Sequence, residues 1–357
     1  MHNTPIRVVV VDDSALMRRM LQASLEREGD IEVVGLAADT VEGRQLIRTH
    51  NPDVITLDVE MPGMNGIAFL EKIMELRPTP VIMVSSLTAR GTETALEALA
   101  IGAVDALAKP AGADGLAAWG PILRRAVHGA AGATVRRRAA APPKRAPAAP
   151  AAAAKPAAAT SRRVVAIGAS TGGVGALSDM FRELSVGLTP IVITQHMPPG
   201  YTARFANRLA AETGLDIAEA RDGEPLGAGA VRIAPGDRHL ELVRSGAGLA
   251  TRLGGTTPVS GHCPSVDTLF FSAATAAGNQ ALGIILTGMG RDGAEGLLAM
   301  HRAGATCLGQ VADSCVVYGM PKAARALGAV SRELSLAALA GSIRDHSRAR
   351  LAVGPTA

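Results

Sequence analysis

Val164–Gly173 reads VVAIGASTGG. An apolar run of strand length breaks there into a glycine-rich turn with Ser170 at its tip, and a helical pattern follows from Val174 to Leu184. Such a unit presents a hydroxyl above a sheet edge, beside backbone N–H groups at a helix N-terminus. Those groups suit either a phosphate or a developing oxyanion. Downstream the alternation continues, with strands at 190–196, 231–235, 240–243, 281–288 and, more weakly, 305–310. Helical patterns fall near 201–213, 265–277, 292–303 and 320–327. This predicts a doubly wound α/β domain over 164–357. The turn-rich section 214–262 predicts a mixed sheet with an antiparallel insertion, and Leu336–Arg348 reads as a capping helix.

The N-terminal part repeats the theme. Strands at 6–11, 31–37, 53–58, 80–86 and 103–108 alternate with helices near 15–27, 40–50, 66–76, 92–101 and 116–127. Continuous β-branched runs crossed by amphipathic helices predict a flavodoxin-like domain over 1–128, a five-stranded parallel sheet covered on both faces. Ligands of such sheets sit beyond the carboxyl ends of the strands. Asp12 and Asp13 end the first strand, Asp58 the third, Ser85 the fourth and Lys109 the fifth. Three carboxylates at one pole repel one another, and Mg²⁺, which takes carboxylate oxygens and water, resolves that repulsion. Lys109 adds a point charge suited to a phosphoryl group, and Ser85 a hydroxyl. The plainer alternative makes the Asp pair a helix cap at Ser14 and Asp58 a chance strand end, but five such residues at matching ends argue against it.

Between the two parts, residues 129–163 hold sixteen Ala, five Pro and eight Lys or Arg, with no Asp or Glu and no apolar periodicity. That composition cannot bury enough surface to fold and reads as a semi-extended tether. A short alanine helix near 151–154 would be confined by Pro150 and Pro156. Removing those eight charges takes the net charge from +4 to −4. With eight aromatic residues in 357, the folded parts offer neither a basic face nor a stacking platform for nucleic acid. No apolar run approaches the length of a membrane span, and MHNTPIR is no signal core. The three cysteines form no C-x-x-C pair and read as reduced thiols in a cytoplasm.

In the second half, Ser170, His196 and Asp292 fall at strand ends or in the turns after them, 26 and 122 positions apart from the serine. An alcohol nucleophile needs a base, and an imidazole base needs a carboxylate to fix its tautomer. Gly168 and Gly172 read as letting the chain turn sharply around Ser170, and Gly288 and Gly290 as doing the same before Asp292. GASTG fits the nucleophile turn G-x-S-x-G, but the order Ser…His…Asp differs from that of α/β-hydrolases. A dinucleotide site would need a glycine where Ser170 stands and an acidic residue where the second strand ends in Gln195-His196. Taken singly, Ser170 fits a helix N-cap, His196 a satisfied strand-end histidine and Asp292 a cap of the 292–303 helix. His239 and His262 are rival bases, ranked lower because both lie in turn-rich segments.

The motifs VDDS, LDVEMPGMNG, MVSS and AKP, in register, resemble a response-regulator receiver domain. The resemblance implies that Asp58 takes a phosphoryl group from a chemotaxis histidine kinase, that Asp12, Asp13 and Asp58 hold Mg²⁺, and that Lys109 and Ser85 contact the acyl phosphate. Ala106 stands where receivers commonly carry an aromatic switch, so transmission is assigned to Leu107 or to the helix near 92–101. The motifs IGASTGG, ITQHMP, IAPGDRH, HCPSVD and ILTGMGRDGAEG resemble the catalytic domain of the CheB-type chemotaxis protein-glutamate methylesterases. That resemblance implies Ser170 as nucleophile, His196 as general base and Asp292 as its orienting acid, with no cofactor for the hydrolysis. N–H groups near Thr171 and Met289 are the oxyanion candidates. It implies γ-glutamyl methyl esters on chemoreceptors as substrate, with deamidation of certain receptor glutamines, and a cytoplasmic monomer that meets the membrane only through receptors. The tether would let an unphosphorylated receiver cover Ser170 and phospho-Asp58 release it. The alternatives are a response regulator with a non-enzymatic output and a nucleotide-dependent enzyme.

Overall fold

The computed structural model describes residues 4–61, 65–85, 89–110, 112–135 and 162–348. Most of the tether, its alanine run and the C-terminal stretch lie outside the described residues. The chain divides into two units, one up to Ala141 and one from Pro142.

In the first unit, β1 (Ile6–Val11), β2 (Ile31–Ala37), β3 (Val54–Asp58), β4 (Val81–Ser85) and β5 (Asp105–Ala108) form one parallel sheet in the order β2-β1-β3-β4-β5. Val8–Val11 and the whole of β3 and β4 are buried, as continuous apolar runs in a sheet covered on both faces must be. Local chemistry starts the helices. Ser14 accepts the Met17 N–H at the head of α1 (Ala15–Leu25), Asp39 accepts two N–H groups of α2 (Thr40–His50), and Asn65 caps α3 (Gly66–Leu76). The helices α4 (Ala89–Ile101) and α5 (Gly112–Ala131) follow. α5 takes in the first three residues, 129–131, of the stretch read as tether. Its buried Arg124 reaches the Leu25 carbonyl, Glu28 and Asp30.

In the second unit seven strands line up as β14-β13-β12-β6-β7-β9-β8: β6 (Val164–Ala169), β7 (Ile191–Gln195), β8 (Ile217–Glu219), β9 (Val231–Ile233), β12 (Ala281–Ile285), β13 (Thr306–Gln310) and β14 (Arg332–Leu334). Every pairing in this sheet is parallel, so the expected mixed sheet is not what forms. The antiparallel insertion is a separate hairpin, β10 (Leu240–Ser245) with β11 (Gly248–Leu253). It is fastened to α8 (Val266–Ala277) instead of to a sheet edge: the Leu242 N–H donates to Ser272 Oγ, and Arg244 donates to the Thr275 and Ala276 carbonyls. The three-residue strands β8 and β14 carry too little pattern to read from sequence. The weakly read strand at 305–310 is β13, and four of its five residues are buried.

The helices are α6 (Gly173–Arg182), α7 (Tyr201–Thr213), α8, α9 (Ala294–Arg302), α10 (Met320–Ala326) and α11 (Leu336–Arg348). One continuous core joins Val266, Phe270 and Ala273 of α8 to Leu297 and Met300 of α9 and to β12 and the hairpin. Burying a side chain such as Phe270 contributes about 2–3 kcal/mol. α11 is the expected cap, tied down where the Thr189 N–H donates to Ser347 Oγ and Arg344 to the Glu183 carbonyl. All three cysteines are free; burial pushes the Cys307 and Cys315 thiols up to about 12, which leaves them unreactive. Among the described residues no helix is long and apolar enough to cross a membrane.

Candidate active site

In the seven-stranded sheet the chain steps from β6 to β7 and β9 on one side and returns with β12 and β13 on the other. The strand order therefore reverses between β6 and β12, which opens a crevice beyond their carboxyl ends. Ser170 follows β6, His196 follows β7, and Asp292 lies in the turn after β12. His196 Nδ1 is 3.1 Å from Ser170 Oγ, and His196 Nε2 is 2.8 Å from Asp292 Oδ2. The ring is used in the opposite sense from the usual Ser-His-Asp triad, where Nε2 faces the serine. Strand order explains this: the nitrogen nearer the backbone meets the residue of the adjacent strand, and the farther one reaches toward the loop two strands away.

Neither Ser170 nor Asp292 serves as the cap that it resembles. α6 opens on Gly172 (φ 77°) and α9 on Gly293 (φ 90°), with no side chain capping either. Asp292 instead accepts from the start of α8: from Ser265 Oγ at 2.8 Å, the Val266 N–H at 2.8 Å and the Asp267 N–H at 3.0 Å. Burial works to raise this carboxyl, but the His196 ring and the α8 amides outweigh it and hold it at about 2. An ionised Asp292 accepts the Nε2 proton and leaves Nδ1 as an acceptor toward the serine. The neighbouring Asp267, also buried, is pushed up by that burial and by the Asp292 charge.

Two of the four glycines read as turn residues act otherwise. Gly172 and Gly290 have φ of 77° and 86° and do need glycine to turn. Gly168 and Gly288 do not. A Cβ on Gly168 would sit 2.1 Å from Val266, and one on Gly288 would sit 2.3 Å from Met320 Sδ and 2.7 Å from Ser170 Cβ. These two are glycines because other chain segments pass against them. The 288–290 loop is thereby held beside Ser170. Among the described residues, neither the Thr171 nor the Met289 N–H donates to another protein group.

Several residues at this site escaped the sequence reading. Gln195, 2% exposed, donates from Nε2 to the Ser170 carbonyl (2.9 Å) and the His196 carbonyl (3.1 Å), tying the two reactive strand ends together. Thr287 Oγ1 donates to the Thr171 carbonyl and accepts the Val317 N–H. His239 is structural: its Nε2 donates to the Thr257 carbonyl and its Nδ1 accepts the Ser265 N–H. His262, ranked low from sequence, lies in the site, with its ring stacked on His196 at 3.9 Å between centroids and 7° between planes. Nothing in the Ser-Gly turn before it shows which ring it would cover.

The first unit has a second polar cluster at its own point of reversal, between β1 and β3. Lys109 Nζ lies 2.7 Å from Asp58 Oδ2 and 3.0 Å from Asp12 Oδ2. Oxygens of Asp12, Asp13 and Asp58 all lie within 4.8 Å of one another. The two inner carboxylates are buried and Asp13 is exposed, an oxygen set and an opening that fit a partly hydrated Mg²⁺. Burial pushes Asp58 up against the pull of Lys109, with the Asp12 charge adding to the rise. Burial works to lower Lys109, but Asp58 and Asp12 outweigh it and hold it up. Ser85 ends β4 fully buried, its carbonyl accepting the Lys109 N–H. Ala106 is buried opposite Met83.

Comparison with known proteins finds a family match for each unit. Residues 165–343 match the family described as CheB methylesterase, and residues 8–119 the response regulator receiver domain. A Caulobacter vibrioides protein named protein-glutamate methylesterase/protein-glutamine glutaminase 1 is 54% identical over 97% of this chain and 99% of its own length. A Pseudomonas aeruginosa relative of the same name, numbered 2, is 47% identical over 97% of this chain and 98% of its own. The crystal structure of the Thermotoga maritima CheB methylesterase catalytic domain matches at TM-score 0.51 and 35% identity, covering 52% of this chain and 98% of that one. The chain belongs to the CheB methylesterase family and carries a response-regulator receiver domain ahead of its methylesterase domain.

Proposed function

We propose that the chain is a phosphorylation-activated serine hydrolase that removes methyl groups from γ-glutamyl esters of chemoreceptors and deamidates receptor glutamines. The observation that carries this reading is the unbroken contact Ser170–His196–Asp292 at the strand reversal of a methylesterase-family domain. His196 Nδ1 takes the Ser170 proton as Oγ bonds to the γ-carbonyl carbon. Asp292 keeps the Nε2 proton and balances the imidazolium charge. The N–H groups of Thr171 and Met289, beside Ser170 and undonated, are available to the oxyanion. His196 then passes its proton to the leaving oxygen or nitrogen, and methanol or ammonia departs. Water, deprotonated by the same Nδ1, attacks the acyl carbon, restores Ser170 and leaves a glutamate carboxylate. Each turnover thus adds a negative charge to the receptor.

In the receiver, Asp58 accepts the phosphoryl group of a chemotaxis histidine kinase. Lys109 and Ser85 contact the acyl phosphate, and Asp12, Asp13 and Asp58 would hold Mg²⁺, which would supply charge neutralisation at the phosphoryl oxygens. The tether keeps the receiver at high effective concentration near the hydrolase. The protein acts as a cytoplasmic monomer that meets the membrane only through its receptors.

The decisive measurement is methanol release from methylated receptor membranes, with and without a small phosphodonor, for wild type and Ser170→Ala. Expected are stimulation by the phosphodonor and loss of release in the variant. Hydrolysis by Ser170→Ala near the wild-type rate would overturn the triad. A fragment beginning near Ser161 should outpace the unphosphorylated full chain; equal rates would remove the restraint ascribed to the receiver.

A further inference from the structure

The segment Thr257–Ser265 is fastened at each end. The His239 ring holds it twice, donating to the Thr257 carbonyl and accepting the Ser265 N–H. Between these points Val259 and His262 exchange both backbone hydrogen bonds at 3.0 Å around a two-residue turn. Ser260 (φ 53°) and Gly261 (φ 81°) both take left-handed conformations there, the geometry of a tight hairpin. A serine is uncommon at such an angle, and this one is secured by Oγ donating to Asp267 Oδ2 at 2.8 Å. Asp267 is buried and its other oxygen accepts the Gly296 N–H at 2.8 Å. The hairpin therefore stands on the same α8 start whose Ser265, Val266 and Asp267 donors surround Asp292.

This hairpin carries His262, whose ring lies flat over His196. The two hydrogen bonds of His196, to Ser170 and Asp292, leave from opposite sides of the ring and lie in its plane. They fix the ring against rotation within that plane but leave it able to tilt about the line joining its two nitrogens. Resistance to tilt has to come from the ring faces, and a parallel ring at 3.9 Å supplies it on one face. The same face also meets the charge that His196 acquires when it takes the serine proton, and an aromatic face attracts a cation.

We propose that His262 is a positioning residue for the hydrolysis: its ring face keeps the His196 imidazole in the plane that joins Ser170 to Asp292 and supports its cationic form. The inference rests on the assignment of Ser170 as nucleophile and His196 as its base. Its test separates the aromatic face from the imidazole chemistry with two replacements in the full chain, His262→Gln and His262→Phe. The assay is phosphodonor-stimulated methanol release from methylated receptor membranes, alongside the rate at which a serine-directed phosphonate labels Ser170.

His262→Gln should lower kcat about 3- to 30-fold with KM within about twofold, and should slow phosphonate labelling in parallel. His262→Phe, flat but unable to titrate or donate, should recover most of that loss. Equal losses in Gln and Phe, a loss confined to KM, or wild-type behaviour of the Gln variant would each overturn the proposal. Should Ser170→Ala retain hydrolysis, the underlying assignment fails and the proposal with it. Should Ser170→Ala be inactive while the two His262 variants match wild type, only the role of His262 fails.

Discussion

The two units build their polar clusters at the same place in the same kind of sheet, yet treat a buried carboxylate in opposite ways. Asp58 ends β3 beside the reversal between β1 and β3, and Asp292 follows β12 beside the reversal between β6 and β12. Each is almost fully buried. Asp292 collects four donors, from His196, Ser265, Val266 and Asp267, and is held at about 2. Among the described residues Asp58 has the Lys109 ammonium and one backbone N–H, from Glu60 at 3.2 Å, and two acidic neighbours besides, and burial prevails and pushes it up. The number of donors aimed at a buried carboxylate decides whether it stays a fixed anion or a group whose charge calls for something more. A fixed anion orients an imidazole. One with fewer donors, set beside two further carboxylates, suits a cation and a phosphoryl group.

The sharpest way to break this comparison is to remove the charge at the well-donated site. Asp292→Asn should lower kcat about 10³- to 10⁴-fold, because an amide offers His196 no anion and permits the wrong tautomer. A drop of under tenfold in methanol release would show that Asp292 does not set the ring. At the other pole, Asp58→Asn should abolish the response to a phosphodonor. A coupling of ordinary size, roughly 5- to 150-fold, should fall to none, read as the ratio of rates with and without the phosphodonor.

Next in size is a change of packing alone. Gly288→Ala places a methyl group against Met320 and Ser170 and should cost about tenfold in kcat, since small displacements of a nucleophile are expensive. Normal activity in a folded variant would refute the close-approach reading of that glycine. The smallest effect lies away from both poles, where burial acts without a compensating anion. Burial and the Arg163 charge hold His346 down at about 4, against an ordinary 6.5. The unfolded chain therefore takes up a proton that the folded one refuses as pH falls from about 6.5 to about 4, and stability declines across that window. His346→Gln should flatten this part of the denaturation midpoint against pH; an unchanged slope would mean that other groups carry it.

Much of this was legible in the chain. Apolar runs punctuated by Asp12, Asp58, Lys109 and Ser170 announce parallel strands with reactive ends, because alternation and turn chemistry are local and survive in one dimension. The strand period also located His196 and Asp292. The parts that stayed hidden depend on what lies opposite. The Ser-Gly hairpin at 260–261 gives no sign of the ring that His262 covers, and Gln195 reads as one more strand-end polar residue until its amide is seen between two carbonyls. Gly168 and Gly288 look like turn glycines because the sequence does not show Val266 or Met320 passing within contact. The insertion was readable as antiparallel, but its attachment to α8 instead of the sheet rests on Ser272 and Arg244, some thirty residues away from their partners.

The sequence by itself determined the class of the two folds, the poles where chemistry would gather and the residue types present there, since each follows from short-range periodicity and side-chain chemistry. Only the tertiary structure decided which nitrogen of His196 faces the serine, which carboxylate is held ionised and which histidine lies on which. Those outcomes depend on strand order and on close approaches between distant segments, and burial then fixes the charge of each group by the donors that happen to surround it.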